Sequence, residues 1–194
     1  MNKSRLEAFS DGVLAIIITI MVLELKVPHG SSPEALIPLI PVFMSYLLSF
    51  IYVGIYWNNH HHMMQLVKRV NGKVLWANLH LLFWLSLFPF ATAWMGENHY
   101  DTWPVVVYGF VMFMAAMAYF ILERSLVVLH GQDSEFATAF KNNKKDVLST
   151  VIYGLAIGGS FITPWIGIGC YVFIALIWFI PDSRVERKIS KVEV

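Results

Sequence analysis

The sequence predicts an all-α integral membrane protein whose chain crosses the bilayer six times. Three observations carry that prediction. Hydrophobic residues make up 57% of the 194 residues and charged residues 14%, with a mean hydropathy of +0.61, against about 45–50% and 25% in soluble domains. Apolar stretches recur along the chain at lengths near the roughly 20 residues that a spanning helix needs. Cationic residues fall in alternate connections, as the positive-inside rule requires of a multi-pass chain.

The first span covers about 9–27 and stops at Pro28-His29-Gly30-Ser31-Ser32-Pro33, a run of turn and breaker residues. It is not expected to be a cleaved signal peptide, being too long, lacking a small-x-small cleavage site and carrying Asp11. The second covers about 35–57, its start distorted by Pro38 and Pro41, and a polar extension follows through Asn58-Asn59-His60-His61-His62. The third, about 74–95, should kink at Pro89 and ends at Gly96-Glu97-Asn98. The fourth covers about 103–129, with Glu123 and Arg124 near its end. Two shorter runs, about 147–162 and 165–180, are separated by Thr163-Pro164 and read as two short helices rather than a re-entrant hairpin. Gly154 and Gly158 form a small-x-x-x-small pair suited to close helix packing, and Trp94, Trp103, Trp165 and Trp178 lie near span ends, as interfacial anchors do. The segment from His130 to Asp146 is the one sizeable loop, where Gln132-Asp133-Ser134-Glu135 resembles a helix cap before a short amphipathic piece. The spans make one domain, 1–180, followed by a polar tail, 181–194, read as a solvated helix end.

Lys3 and Arg5 precede span one; Lys68, Arg69 and Lys73 lie between spans two and three. Arg124, Lys141, Lys144 and Lys145 lie between spans four and five, and Arg184, Arg187, Lys188 and Lys191 follow span six, leaving Lys26 alone on the opposite side. Both termini are therefore expected in the cytoplasm of a cell-membrane protein. A net charge of +1 and the lack of a cationic patch interleaved with aromatics give no case for nucleic acid. Cys170 is the sole cysteine, so no intramolecular disulfide or Cys-x-x-Cys site exists, and it reads as a small core residue.

Depth then sorts the polar residues. Asp11 stands at the mouth of span one, where an acid costs roughly 2.5–3.5 kcal/mol on insertion scales unless paired or wet; Arg5, six positions earlier, is the cheapest partner. Arg5, Ser10 and Asp11 from span one, Asn58 to His62 from span two, and Asn78 and His80 from span three all fall at the inner ends of their helices. In a low-dielectric layer such groups must satisfy one another, and an inter-helix hydrogen-bond lock is the plain reading. His60, His61 and His62 do not suit a metal, because consecutive helical residues point about 100° apart, and no His-Glu-x-x-His or second histidine box is present. Ile16, Thr19, Ile20 and Leu23 recur at i, i+3, i+4 and i+7 and share one face, with Asp11 roughly opposite Ile16. From pattern alone such a stripe is ordinary helix packing. Around a symmetry axis it becomes rings of Ile and Leu, with Thr19 hydroxyls as the side-chain oxygens.

Arg5-x-x-x-Phe9-Ser10-Asp11-Gly12, continuing into Ala15-Ile16-x-x-Thr19, resembles the opening signature of the transmembrane protein 175 family of lysosomal and prokaryotic potassium channels. Tyr56-Trp57-Asn58-Asn59-His60-His61 and Trp84-Leu85-Ser86-Leu87-Phe88-Pro89-Phe90 are similar to that family's second- and third-helix motifs. A single six-span unit matches the prokaryotic form. The resemblance implies a homotetramer in which four first helices line one central pore. It implies Ile16 as the main hydrophobic constriction, continued outward by Ile20 and Leu23, and Thr19 as a hydroxyl layer favouring potassium. It also implies that Arg5, Ser10, Asp11 and a histidine of the second span brace the inner end, with His60 or His61 aligned for that role. The Thr-Val-Gly-Tyr-Gly filter of ordinary potassium channels is not in the sequence.

The leading expectation is thus a potassium-permeable cation channel, closed by dewetting at Ile16, with no cofactor, no bound metal beyond transient potassium near Thr19, and itself and the bilayer as partners. Glu24, just outside the stripe, is placed to concentrate cations, to face lipid or to pair with Lys26. The alternative is a proton-coupled secondary transporter using Asp11 and the His60–His62 layer, although the internal repeats usual in carriers are not evident. A membrane enzyme is a third reading that lacks any supporting second motif.

Overall fold

A computed structural model describes residues 3–140 and 144–179, and every one of its regular elements is helical. The helices are α1 (Lys3–Leu23), α2 (Ile40–Gln65), α3 (Gly72–Ser86), α4 (Phe88–Glu97), α5 (Thr102–His130), α6 (Glu135–Phe140), α7 (Lys144–Ser160) and α8 (Pro164–Phe179), with a 3-10 turn over Pro33–Leu39 leading into α2. Four helical stretches are long and apolar enough to cross a membrane: Lys3–Leu23, Pro33–Gln65, Gly72–Glu97 and Thr102–His130. The apolar segments Val147–Ser160 and Pro164–Phe179 are shorter. At 1.5 Å per residue, α7 and α8 run only about 24–26 Å, slightly less than the roughly 30 Å hydrocarbon layer.

Several boundaries differ from the apolar runs, for local reasons. The first helix starts at Lys3, six residues before its apolar run, because Leu6 and Ser10 are buried and draw the polar turns into the packed structure. It ends at Leu23, ahead of the Pro28 breaker, through a tightened turn in which Leu25 N–H donates to the Val22 carbonyl. Pro38 and Pro41 supply no N–H, so the chain from Pro33 takes a 3-10 form before α2 begins at Ile40. The polar extension Asn58 to His62 is fully helical and carries α2 on to Gln65. The third apolar run breaks at Leu87, two residues ahead of Pro89, and Asn71 caps its start by accepting from the Val74 N–H at 3.0 Å. Ser134 Oγ caps α6 by accepting from the Ala137 N–H, and Phe136 stacks between His130 and Phe140. The expectations for the tail 181–194, and for cations such as Lys141 and Arg184, lie outside the described residues.

In the packing, α5 and α2 are central. The α5 helix lies against α3, α4, α7 and α8; α2 lies against α1, α4 and α8; α7 and α8 pair with each other. Helix α1 sits at one side, touching α2, α3 and α4. Polar contacts fix which ends meet. Lys3 Nζ donates to the Met64 carbonyl, and the Lys68 N–H and Arg69 guanidinium reach His130 and the Leu129 carbonyl. At the other end Lys26 pairs with Glu97, and the Tyr100 hydroxyl donates to the Pro41 carbonyl. The α4–α5 link takes left-handed backbone at His99 and Tyr100, φ 50° and 63°.

One close approach holds α2 to α4. A Cβ added at Gly96 would stand 2.7 Å from the Val42 Cα, 3.1 Å from Ser45 Oγ and 3.3 Å from the Pro41 carbonyl oxygen. Backbone cannot yield as a flexible side chain can. Gly96→Ala is expected to destabilise the protein by about 1–3 kcal/mol through overpacking, read as a lower thermal midpoint in detergent. An unchanged midpoint would mean that α4 can step away from α2 freely.

Candidate permeation path and its bracing network

Helix α1 divides cleanly into two faces. Leu6, Ser10, Leu14, Ile17 and Met21 are buried against the other helices of the same chain. Ile16 is 58% exposed, Ile20 42% and Leu23 80%, and Thr19 is exposed beside them. The stripe of Ile16, Thr19, Ile20 and Leu23 is therefore only partly covered by the rest of this chain. The Thr19 hydroxyl donates to the Ile16 carbonyl at 2.8 Å. Its one proton is thus committed to the backbone, and the oxygen is left to act as an acceptor on the exposed face.

Behind the inner half of α1 runs a buried hydrogen-bond chain. His60 Nε2 lies 2.9 Å from Asn78 Oδ1, and Asn78 Nδ2 donates to Ser10 Oγ at 2.9 Å. Ser10 Oγ in turn donates to the Leu6 carbonyl at 2.8 Å. Because the Asn78 amide nitrogen is the donor to Ser10, its oxygen accepts, which assigns the proton of His60 to Nε2. All three side chains are 2% exposed or less. One residue from each of α1, α2 and α3 contributes, so the chain ties the three inner helix ends together.

The other residues expected in that network are turned away from this chain of bonds. His61 is exposed, stacked on Trp57 with ring centroids 5.8 Å apart, and bonded to Gln65. His62 lies beside His61, 6.0 Å between ring centroids. Helical phase explains the separation, since each successive histidine turns about 100° away from Asn78. The expected pairing of Arg5 with Asp11 is corrected: no ion pair joins them among the described residues, and both are exposed. Six residues on a helix place them about 120° apart, with Arg5 on the side of Ile16. Asp11 Oδ1 instead accepts from the Trp57 indole N–H at 3.0 Å. Trp57 is the site residue that sequence reasoning did not single out; its place one turn before His61 on α2, level with Asp11, was the available signal. Lys26 takes Glu97 rather than Glu24 as its hydrogen-bond partner, and that bond, then the charge of Glu97, holds its ammonium above the usual lysine range. No cluster of three or more His, Cys, Asp or Glu able to hold a metal ion occurs among the described residues.

Comparison with known proteins agrees with this architecture. Residues 5–89 match the model of the family described as endosomal/lysosomal potassium channel TMEM175. The chain is 56% identical over 191 residues to a potassium channel of Chryseobacterium sp. (strain P1-3), covering 98% of this chain and all of that one. It is 31% identical over 189 residues to a potassium channel of Chamaesiphon minutus, covering 88% and 91% of the two chains. The crystal structure of a lysosomal potassium-selective channel TMEM175 homolog from Chamaesiphon minutus superposes with a TM-score of 0.77 at 30% identity, covering 91% of this chain and 95% of that one. With an all-helical fold, four helices long enough to span and relatives matched over nearly their whole length, this chain is a multi-pass membrane protein that belongs to the TMEM175 family.

Proposed function

We propose that the chain assembles as a homotetramer and conducts potassium through a pore lined by four copies of α1. The observation that carries this reading is the two-faced α1: one side is built into its own subunit, while Ile16, Thr19, Ile20 and Leu23 stand exposed on the other. Other helices also expose apolar side chains, as lipid-facing surfaces do; a symmetric assembly covers this stripe from the same sequence, and the match of residues 5–89, which include most of α1, to a channel family supports that choice. Relatives named potassium channel support the choice of ion. Six spans with both termini cytoplasmic complete the proposal, supported by Lys3, Lys68 and Arg69 meeting at one end of the helices with Lys26 at the other.

In this mechanism the Ile16 ring is too narrow and apolar to hold water when closed, and a small outward movement of α1 wets it. Thr19, one turn outward, replaces part of the hydration shell of a passing cation with four hydroxyl oxygens. Four oxygens are few, so the preference for potassium over sodium is moderate. The Ser10–Asn78–His60 chain keeps the inner end of α1 fixed while the stripe moves.

Recording from purified protein in planar bilayers tests the proposal. Unitary potassium currents are expected, with a reversal potential shifted toward potassium under mixed potassium and sodium. Thr19→Ala should bring the two permeabilities closer together, because the acceptor layer is lost. A turnover that saturates as in alternating access, or obligatory coupling to protons, would favour the carrier reading instead.

A further inference from the structure

A second polar chain lies behind the outer half of α1, within the apolar interior. Ser49 Oγ on α2 is 2.7 Å from Thr92 Oγ1 on α4 and 2.9 Å from the Tyr108 hydroxyl on α5. Thr92 Oγ1 in turn donates to the Met21 thioether on α1 at 3.9 Å. Ser49, Thr92, Tyr108 and Met21 are each 4% exposed or less. Three hydroxyls linked in a row can point their protons in either direction, and a thioether has no proton to give. With Thr92 committed to Met21, Ser49 must donate to Thr92, and Tyr108 must donate to Ser49. The sulfur therefore fixes the sense of the whole row, which runs from α5 through α2 and α4 to end on α1.

Met21 lies among the stripe residues in sequence, between Ile20 and Leu23, but on the opposite, buried face of the helix. Whatever holds its sulfur also sets how far α1 is rotated and how deep the stripe sits. Each hydrogen bond in such a row polarises the next, so the row acts as one unit rather than as separate contacts. We infer that Tyr108, Ser49 and Thr92 are positioning residues that set the rotation of α1 at the constriction through the Met21 sulfur. The inference rests on the reading of α1 as the pore helix. It places control of the gate in two separate braces: the Ser10–Asn78–His60 chain at the inner end, and this hydroxyl row at the level of the constriction.

Thr92→Val keeps the shape of the side chain and removes the terminal donor, and Met21→Leu keeps the volume and removes the acceptor. In bilayer recordings Thr92→Val is expected to change open probability by roughly 2- to 10-fold, the range of one net hydrogen bond, with the potassium-to-sodium reversal potential unchanged because Thr19 is intact. In detergent, each single variant is expected to lower the thermal midpoint, with the double variant no lower than Thr92→Val alone, since both remove the same contact. Unchanged open probability in Thr92→Val overturns the inference, and so do melting effects that simply add. A wild-type protein that passes no potassium current overturns the channel reading and the gating role together. The melting cycle then decides separately whether the row holds α1 in place.

Discussion

Ile16→Asn is expected to raise the resting potassium current of the reconstituted protein by roughly tenfold or more. A tenfold change corresponds to about 1.4 kcal/mol of barrier. Fully burying one Ile side chain is worth about 1.5–3 kcal/mol relative to water, and in the proposed tetramer the substitution changes four at once. In the proposed gate the amide brings hydrogen-bonding groups to the place where closure depends on having none. Ile17→Asn is the control one residue away. Ile17 is 3% exposed and faces the core of this chain, so the same substitution there should reduce folded yield and leave the conductance of the surviving protein unchanged. Bilayer recordings alongside gel filtration separate the two outcomes. A resting current that stays at the wild-type level in Ile16→Asn removes Ile16 from the pore.

Asn78→Leu is the variant expected to cost most in stability. Asn78 is the middle of a three-residue chain, accepting from His60 and donating to Ser10. Its loss leaves the buried His60 Nε2–H with no acceptor, a cost of about 1–3 kcal/mol, and removes a second bond worth about 0.5–1.5 kcal/mol. Together these amount to about 2–4 kcal/mol, or a fall of roughly 5–15 °C in thermal midpoint at this chain length. His61→Ala, at an exposed position outside the chain, should change stability by about 0.5 kcal/mol or less. Thermal melting in mild detergent, with the assembly state read by gel filtration, distinguishes them. Equal midpoints for the two variants would show that the inner ends of α1, α2 and α3 are held by apolar packing and not by the amide.

Much of the architecture was legible in the one-dimensional pattern. The apolar runs mark the helices, Thr163-Pro164 separates α7 from α8, Pro89 breaks the third run near Leu87, and Ser134 caps α6. These features depend on a residue and its near neighbours in the chain, so they need no knowledge of the fold. The stripe on α1 was equally legible, because 3.6 residues per turn place Ile16, Thr19, Ile20 and Leu23 on one side. Helix ends were less legible. The polar first turns of α1 and last turns of α2 are helical because Leu6, Ser10, His60, Met63 and Met64 are buried, which hydropathy alone does not register.

Partners were the least legible. Depth in the membrane brought Arg5, Ser10, Asp11, the histidines and Asn78 to one layer, yet a layer has a full circle of directions within it. Rotation about each helix axis decided that His60 and not His61 reaches Asn78 and that Asp11 takes the Trp57 indole and not Arg5, while the path of the chain after α1 brought Lys26 to Glu97. The Tyr108–Ser49–Thr92–Met21 row was invisible for the same reason, since its four members come from four helices and successive members stand 16 to 43 positions apart along the chain.

By itself, then, the sequence determined that this is a helical membrane protein with one unusual first helix, because run length, composition and charge alternation are what a bilayer selects. Tertiary structure alone decided which face of that helix is built into the helical bundle and which polar groups hold it there. Hydrogen bonds in a low-dielectric interior form only between groups brought within about 3 Å at the right angle, and that depends on how neighbouring helices are turned against one another.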